Sequence, residues 1–320
     1  MAKSSIGGAH KRGAISLAAL LLLSLLWACE VLRPLVDSSA VFGAVPQHER
    51  HAMAFIFLAV IAGVAASQRP APGMRLVRES LLVGLGLFVI PASLIDFAAL
   101  GTYPPTRAAL LTLVPLFAAV FEPYIVPNIG AGIDGVDRRQ SRFALLAALA
   151  GVAGAICIFP VELPASIQAF AAFCAVILAA ASIAAAGCKA VAVVQESPAH
   201  LTTMAAIASG IAVLFNAGAS AVLEKPTLAW GALWPELLWS ATVEFPALAL
   251  LFWLMRRLTA TRMATRYLLA PMIAIVAGAA LVQAPLNSRI CFGLVLMAAS
   301  AAWLLFASET RPEPTGLVLH

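Results

Sequence analysis

Charged residues are scarce in this chain, and that scarcity excludes a soluble globular protein. Only 11% of the 320 residues are charged, whereas 62% are hydrophobic, and the mean hydropathy is +0.97. A soluble domain of this composition would expose far more apolar surface than monomeric proteins do. The apolar runs are continuous and lack the alternation of a transmembrane β-barrel. The sequence therefore predicts an all-α integral membrane protein whose surroundings are the lipid bilayer.

Residues that bind metals, haem or nucleotides are also few. All five cysteines fall inside apolar runs without a CxxC pair, as is typical of small packing residues rather than disulfides or metal ligands. The five histidines lie at predicted helix ends or near the termini, so we expect no metal and no cofactor. No GxxxxGK[ST] loop is present, which argues against nucleotide-driven transport.

The net charge of +5 does not indicate a nucleic-acid partner, because the basic residues are spread over short loops rather than gathered in one patch. They concentrate before the first apolar segment and after the second, fourth and eighth segments. This asymmetry predicts that the N- and C-termini both face the cytoplasm. We expect the protein to lie in the inner (plasma) membrane of a bacterium.

Ten apolar segments are long enough to be transmembrane helices. A bilayer core about 30 Å thick is crossed by about 20 helical residues. The segments are 14–36, 51–67, 80–100, 105–126, 143–160, 166–192, 200–222, 235–255, 261–283 and 287–306. Residues 1–13 and 307–320 are predicted to be cytoplasmic tails.

Two of these segments resemble each other across about 156 residues. Residues 106–120 and 262–276 each carry a basic residue near the start of an apolar helix and a proline in the middle, Pro115 or Pro271. A second match relates the fifth segment to the tenth. The matches predict two five-helix repeats, and an odd number of helices per repeat inverts one repeat relative to the other. The predicted repeats span 14–160 and 166–306.

This layout resembles the ten-helix members of the drug/metabolite transporter superfamily, which have two EamA-type repeats, over nearly the whole chain. In that family a tryptophan is common near the middle of the first helix, and Trp27 stands there. Helices 4 and 9 carry small residues, leucines and a proline, matched by residues 108–115 and 264–271. A glutamate often follows those helices; Gln283 takes that place in the second half, and Glu122 comes early in the first. The resemblance implies secondary transport of a small solute.

Two acidic residues inside apolar segments are candidates for substrate or proton binding, because a charge at mid-membrane usually faces a cavity or a partner. Glu244 is the deepest acid; it either binds protons and substrate or hydrogen-bonds to backbone freed by Pro246. The surroundings of Glu30 are faintly similar to the first helix of small multidrug-resistance proteins, whose glutamate binds cations and protons. Arg33 lies three residues on and would neutralise Glu30 in the alternative interpretation.

Basic and polar residues supply further candidates. Lys189 lies near the repeat equivalent of Glu30, so it either pairs with Glu30 across a central cavity or extends to the membrane surface. Arg266 either holds an anionic group such as a carboxylate or anchors its helix at the interface. Asn216 either contacts substrate or forms an interhelical hydrogen bond.

Aromatic residues and prolines complete the set of candidates. Trp27 and Tyr267 are candidates for lining a substrate cavity, although aromatic residues in membrane helices also pack or face lipid. Pro115 and Pro271 each remove a backbone hydrogen bond, so each marks a candidate hinge or a static kink.

The sequence thus predicts a secondary active transporter without enzymatic activity. Its substrate would be a small metabolite or drug-like solute, an amino acid among them, moved by proton coupling or exchange. Two alternatives stay open: an integral-membrane enzyme acting on lipid-linked substrates, and a membrane assembly subunit that transports nothing. A homodimer also stays open, because the small-residue face at Gly151 and Gly154 can pack within one chain or between two.

Overall fold

A computed structural model of the protein describes residues 3–36, 47–126, 138–196, 198–223 and 230–306, and in these ranges every regular element is helical. The predicted C-terminal tail, 307–320, lies outside them. The ten long helices are α1 (Lys3–Val36), α2 (Gln47–Ser67), α3 (Met74–Ala98), α4 (Pro104–Ile125), α5 (Arg138–Ile158), α6 (Ile167–Glu196), α7 (Leu201–Leu223), α8 (230–255), α9 (Ala260–Val282) and α10 (Ser288–Phe306).

Nine of these helices in the described ranges are long and apolar enough to cross a membrane, and α5 has a shorter apolar run, Phe143–Ile158. The prediction of an all-α chain is confirmed, and the helices indicate an integral membrane protein. Helix α1 begins at Lys3, ten residues before its candidate membrane span, Gly13–Arg33. Apolar composition identifies the membrane-crossing part of a helix but not its polar extension.

Two helices contain a π-helical turn next to a proline. In α3 the turn is Leu85–Val89 and is followed by Pro91; in α8 it is Ser240–Glu244 and is followed by Pro246. A proline ring clashes with the carbonyl four residues earlier. The wider π turn relieves that clash, and such turns often occur at functional sites.

Helices α4 and α9 are interrupted at buried threonines. The break in α4 is at Thr112 and Leu113, and the break in α9 is at Thr265. Each threonine hydroxyl donates a hydrogen bond to the carbonyl three residues earlier, at 2.6 Å in both cases, and so competes with the backbone bond. Pro115 lies at the start of the segment after its break, but the helix continues through Pro271. The interruption in α9 is therefore at Thr265 rather than at the proline.

Helices α5 and α10 cross closely because glycines face each other. A Cβ atom added to Gly154 would lie 2.7 Å from the carbonyl oxygen of Gly293, and one added to Gly293 would lie 2.6 Å from that of Gly154. A Cβ added to Gly151 would lie 2.6 Å from the Ser300 hydroxyl. The small-residue face of α5 thus packs within the chain, as is common between membrane helices.

The other helices interlock across the chain. Helix α1 packs on α8 and α9, whereas α6 packs on α3 and α4. Helix α2 packs most extensively on α7, and smaller contacts join α3 to α7, α2 to α8, α4 to α5 and α9 to α10. The largest apolar core lies around α1, α6 and the C-terminal half of α8, and includes Leu23, Val191 and Leu254.

Candidate functional site

A cavity of about 150 Å³ lies between α1, α2 and α8. Its wall is mostly apolar but contains two carboxylates and one imidazole. The residues that line it are Leu26, Trp27, Glu30, His51, Ala54, Phe55, Val243, Glu244, Ala247 and Leu248. A small concave site with a few convergent polar groups is the usual form of a ligand-binding pocket.

Glu244 is held in the cavity wall by the π turn of α8. It is the last residue of that turn, and its Oε2 atom accepts a hydrogen bond of 2.9 Å from the hydroxyl of Ser240, the first residue. Its Oε1 atom lies 4.0 Å from Nδ1 of His51 on α2. The Glu244 carboxyl group therefore bonds to a side chain rather than to backbone freed by Pro246.

Glu30 contacts α8 through a tryptophan. Its Oε2 atom accepts a hydrogen bond of 2.5 Å from the indole Nε1 of Trp239, and Arg33 lies over the same indole ring with Cζ 4.9 Å from the ring centre. Arg33 also forms an ion pair of 2.5 Å with Glu236, and both side chains are buried. From the sequence, Glu30 was one predicted partner of Arg33. Glu236 was not predicted, because it lies near a predicted helix start, where charged residues are common.

Arg266 is buried against two aromatic rings. Its Cζ atom lies 4.7 Å from the ring centre of Trp27 and 5.0 Å from that of Tyr267, and these two rings contact each other edge to face. The residue is 3% exposed, and its Nε and Nη1 atoms have no hydrogen-bond partner among the described residues. Cation–π contacts contribute about 0.5–2 kcal/mol, whereas burying a charge costs several kcal/mol. The stacking therefore does not offset the burial of this guanidinium.

Asn216 lies outside the cavity wall. Its Oδ1 atom is 3.3 Å from Nδ1 of His48, whose Nε2 is 3.5 Å from Oδ2 of Asp96. Asn216 therefore makes the interhelical contact that was one of its two alternatives. The histidines lie in the first turns of α2, as predicted, but His48 is buried there and His51 lines the cavity one turn further along. The predicted start of α2, at residue 51, was four residues too late.

Lys189 pairs with a different acid from the predicted one. Its Nζ atom lies 2.5 Å from Oε2 of Glu79 on α3, and Arg75 lies 3.9 Å from the same carboxylate. The suggested pairing of Lys189 with Glu30 is therefore wrong. Membrane depth can be estimated from position along a helix, but the facing helix cannot.

Glu122 joins the C-terminal end of α4 to the N-terminus of α9. Its two carboxylate oxygens accept hydrogen bonds from the backbone N–H groups of Ala260 and Thr261, at 3.1 and 3.0 Å, and from the Thr261 hydroxyl. A carboxylate at this position also interacts favourably with the helix dipole. Gln283 ends α9 in the left-handed conformation, with φ 55°, and is exposed.

The described residues offer no group of three or more histidine, cysteine, aspartate or glutamate side chains placed to hold a metal ion. No family model matches the chain, and no curated protein matches it. The fold does occur in a solved structure. A crystal structure described only as that of a protein superimposes with a TM-score of 0.68 at 15% sequence identity, covering 92% of this chain and 99% of the other. This likeness extends to nearly the whole helical arrangement and concerns the fold alone.

Proposed function

We propose that the protein is a secondary active transporter that moves a small organic solute across the membrane by alternating access. The observation that carries the proposal is the cavity in which Glu30 and Glu244 line one mostly apolar space between membrane-length helices. Charged groups at such depth are costly and usually mark substrate or ion pathways. Either carboxylate can bind a proton or an ammonium group, which suits proton coupling or solute exchange.

The pattern of helix contacts supports an inverted-repeat architecture of the EamA type. When each helix is exchanged for the one five positions later, the main pairings map onto each other: α1–α9 onto α6–α4, α1–α8 onto α6–α3, and α2–α8 onto α7–α3. The pairings α2–α7 and α5–α10 map onto themselves. The two π turns, each followed by a proline, occupy equivalent helices, α3 and α8. Many transporters place their substrate between repeats of this kind.

The two ends of the bundle differ in a way that suits alternating access. The cavity lies toward the end of the bundle where α1 ends and α2 starts, and its α8 residues, 243–248, come from the middle and second half of that helix. Near the other end, Glu122 ties α4 to α9. In our proposal the cavity is accessible from its own end in this conformation. The breaks in α4 and α9, together with Pro115 and Pro271, are the places where these helices would bend when access switches.

Counterflow in proteoliposomes tests this function. Purified protein should exchange at least one class among radiolabelled amino acids, sugars, nucleotide sugars and cationic drugs. The Glu244→Gln variant should lose about tenfold or more of that flux, since each tenfold corresponds to about 1.4 kcal/mol and a charged contact exceeds that value. Glu196→Gln, at an exposed glutamate, is the matched control and should keep the flux.

Two outcomes would overturn the proposal. The first is the absence of flux with every class combined with turnover of a lipid-linked substrate, which would indicate a membrane enzyme. The second is flux that Glu244→Gln leaves unchanged, because the cavity would then not be the transport site. In our proposal both termini face the cytoplasm of a bacterial cell, which protease accessibility of terminal tags would measure.

A further inference from the structure

We propose that Arg266 is the anion-binding group of the transport site and that the solute is a zwitterion, carrying an ammonium and a carboxylate. The inference rests on the proposed function and adds the substrate class to it. Three observations support it: an acid pair in the cavity, a buried guanidinium without hydrogen-bond partners at two nitrogens among the described residues, and one indole ring that lines the cavity and contacts the guanidinium.

The guanidinium indicates a ligand because its Nε and Nη1 atoms are buried and have no hydrogen-bond partner among the described residues. Arg266 is 3% exposed, and the aromatic rings of Trp27 and Tyr267 compensate only part of the lost hydration. A buried donor left without an acceptor is costly, so such groups usually have a functional reason. A carboxylate supplies the missing acceptor oxygens and a single negative charge, and arginine binds carboxylates in favourable geometry.

Trp27 connects the two charged ends of the site. Its indole ring lines the cavity that holds Glu30 and Glu244, and the guanidinium carbon of Arg266 lies 4.7 Å from the centre of that ring. A rotation of the indole would therefore open space between the guanidinium and the cavity. The ammonium of the solute would then contact the acid pair, and its carboxylate would take the place of the ring beside Arg266. The apolar wall suits a hydrophobic side chain.

The test compares leucine, leucine methyl ester and isoamylamine as ligands of the full chain in detergent, with affinity measured by calorimetric titration. The ester and the amine keep the cation but lack the carboxylate. The wild type should bind leucine about tenfold or more tightly than either analogue, as expected for one charge-assisted interaction. Arg266→Met should abolish that preference while keeping affinity for the amine. Arg107→Met, at a half-exposed arginine of α4, should leave the preference unchanged.

A second measurement separates a binding role from a structural one. Without ligand, Arg266→Met should melt at a higher temperature than the wild type, because it removes a buried charge with two nitrogens that have no hydrogen-bond partner among the described residues. A lower melting temperature, or loss of the folded protein, would overturn the inference. So would a leucine preference that survives in Arg266→Met, or a wild type that binds all three ligands equally. Binding in detergent is measured independently of transport. If the protein transports cations but does not prefer leucine over its two analogues, this inference is rejected and the transporter proposal stands.

Discussion

We expect the buried ion pairs of this protein to contribute far more to stability than the exposed ones. The Arg33–Glu236 pair is shielded from solvent on both sides, whereas Arg75 and Glu196 are 77% and 58% exposed. We predict that Glu236→Gln lowers the free energy of unfolding by about 3–5 kcal/mol, because it leaves the buried Arg33 without a charged group that lies 2.5 Å away. Glu196→Gln should cost less than about 1 kcal/mol. Reversible unfolding in mixed micelles measures both, and equal losses would contradict the prediction.

A cavity-lining residue could be predicted from the sequence only where the residue type is unusual for its position in an apolar helix. Glu30, Glu244 and Trp27 stand out as polar or aromatic groups in apolar runs, and all three line the cavity. Glu236 and His51 did not stand out, because both lie near helix starts where charge is common. Their importance comes from what faces them on another helix. The depth of a residue in the membrane can be estimated from its position along the sequence, but the residues that face it on another helix cannot.

Glycine determines how closely two helices approach at the α5–α10 crossing. Gly154→Ala would place a Cβ 2.7 Å from a backbone oxygen, so the helices must separate, at a cost of about 1–3 kcal/mol. We expect a lower melting temperature for this variant. Gly210→Ala in α7 is the matched control, since a Cβ there meets nothing within 4 Å. It should be neutral or stabilising by up to about 1 kcal/mol, because alanine favours a helix more than glycine does. Equal melting temperatures for the two variants would contradict the close crossing.

At the scale of whole helices, the sequence predicts where each helix lies better than it predicts where the helix is interrupted. Long apolar runs identified all ten helices, because the bilayer requires about 20 such residues for each. The prolines indicated where regular hydrogen bonding fails, but the breaks and π turns are displaced from them. In α9 the break falls at Thr265, six residues before Pro271, where a buried hydroxyl competes for a carbonyl. Whether a threonine hydroxyl interrupts a helix in this way depends on the side chains that surround it. Those surroundings come from other helices and cannot be read from the sequence of one helix.

Over the whole molecule, the two predicted repeats are not two folding units. Helix α1 packs on α8 and α9 of the second repeat, and α6 packs on α3 and α4 of the first. We predict that residues 1–162 and 163–320, expressed separately, are degraded, whereas the two fragments expressed together form a complex with the elution volume of the intact chain. Cleavage in this non-helical stretch removes no packed helix. A first fragment that is stable and monodisperse alone would contradict the interlocked arrangement.

The pairing of α1 with α9 also has a consequence in time. The ribosome adds roughly 5–20 residues per second, so the chain between Arg33 and Arg266 takes on the order of ten to fifty seconds to synthesise. During that interval Trp27 has reached the membrane, but neither Arg266 nor Tyr267 exists to contact it. During this interval α1 therefore lies in lipid, or beside the insertion machinery, without the contacts that α9 later provides. Glu30 and Arg33 are likewise synthesised long before their partners Trp239 and Glu236, so the order of synthesis also constrains these residues.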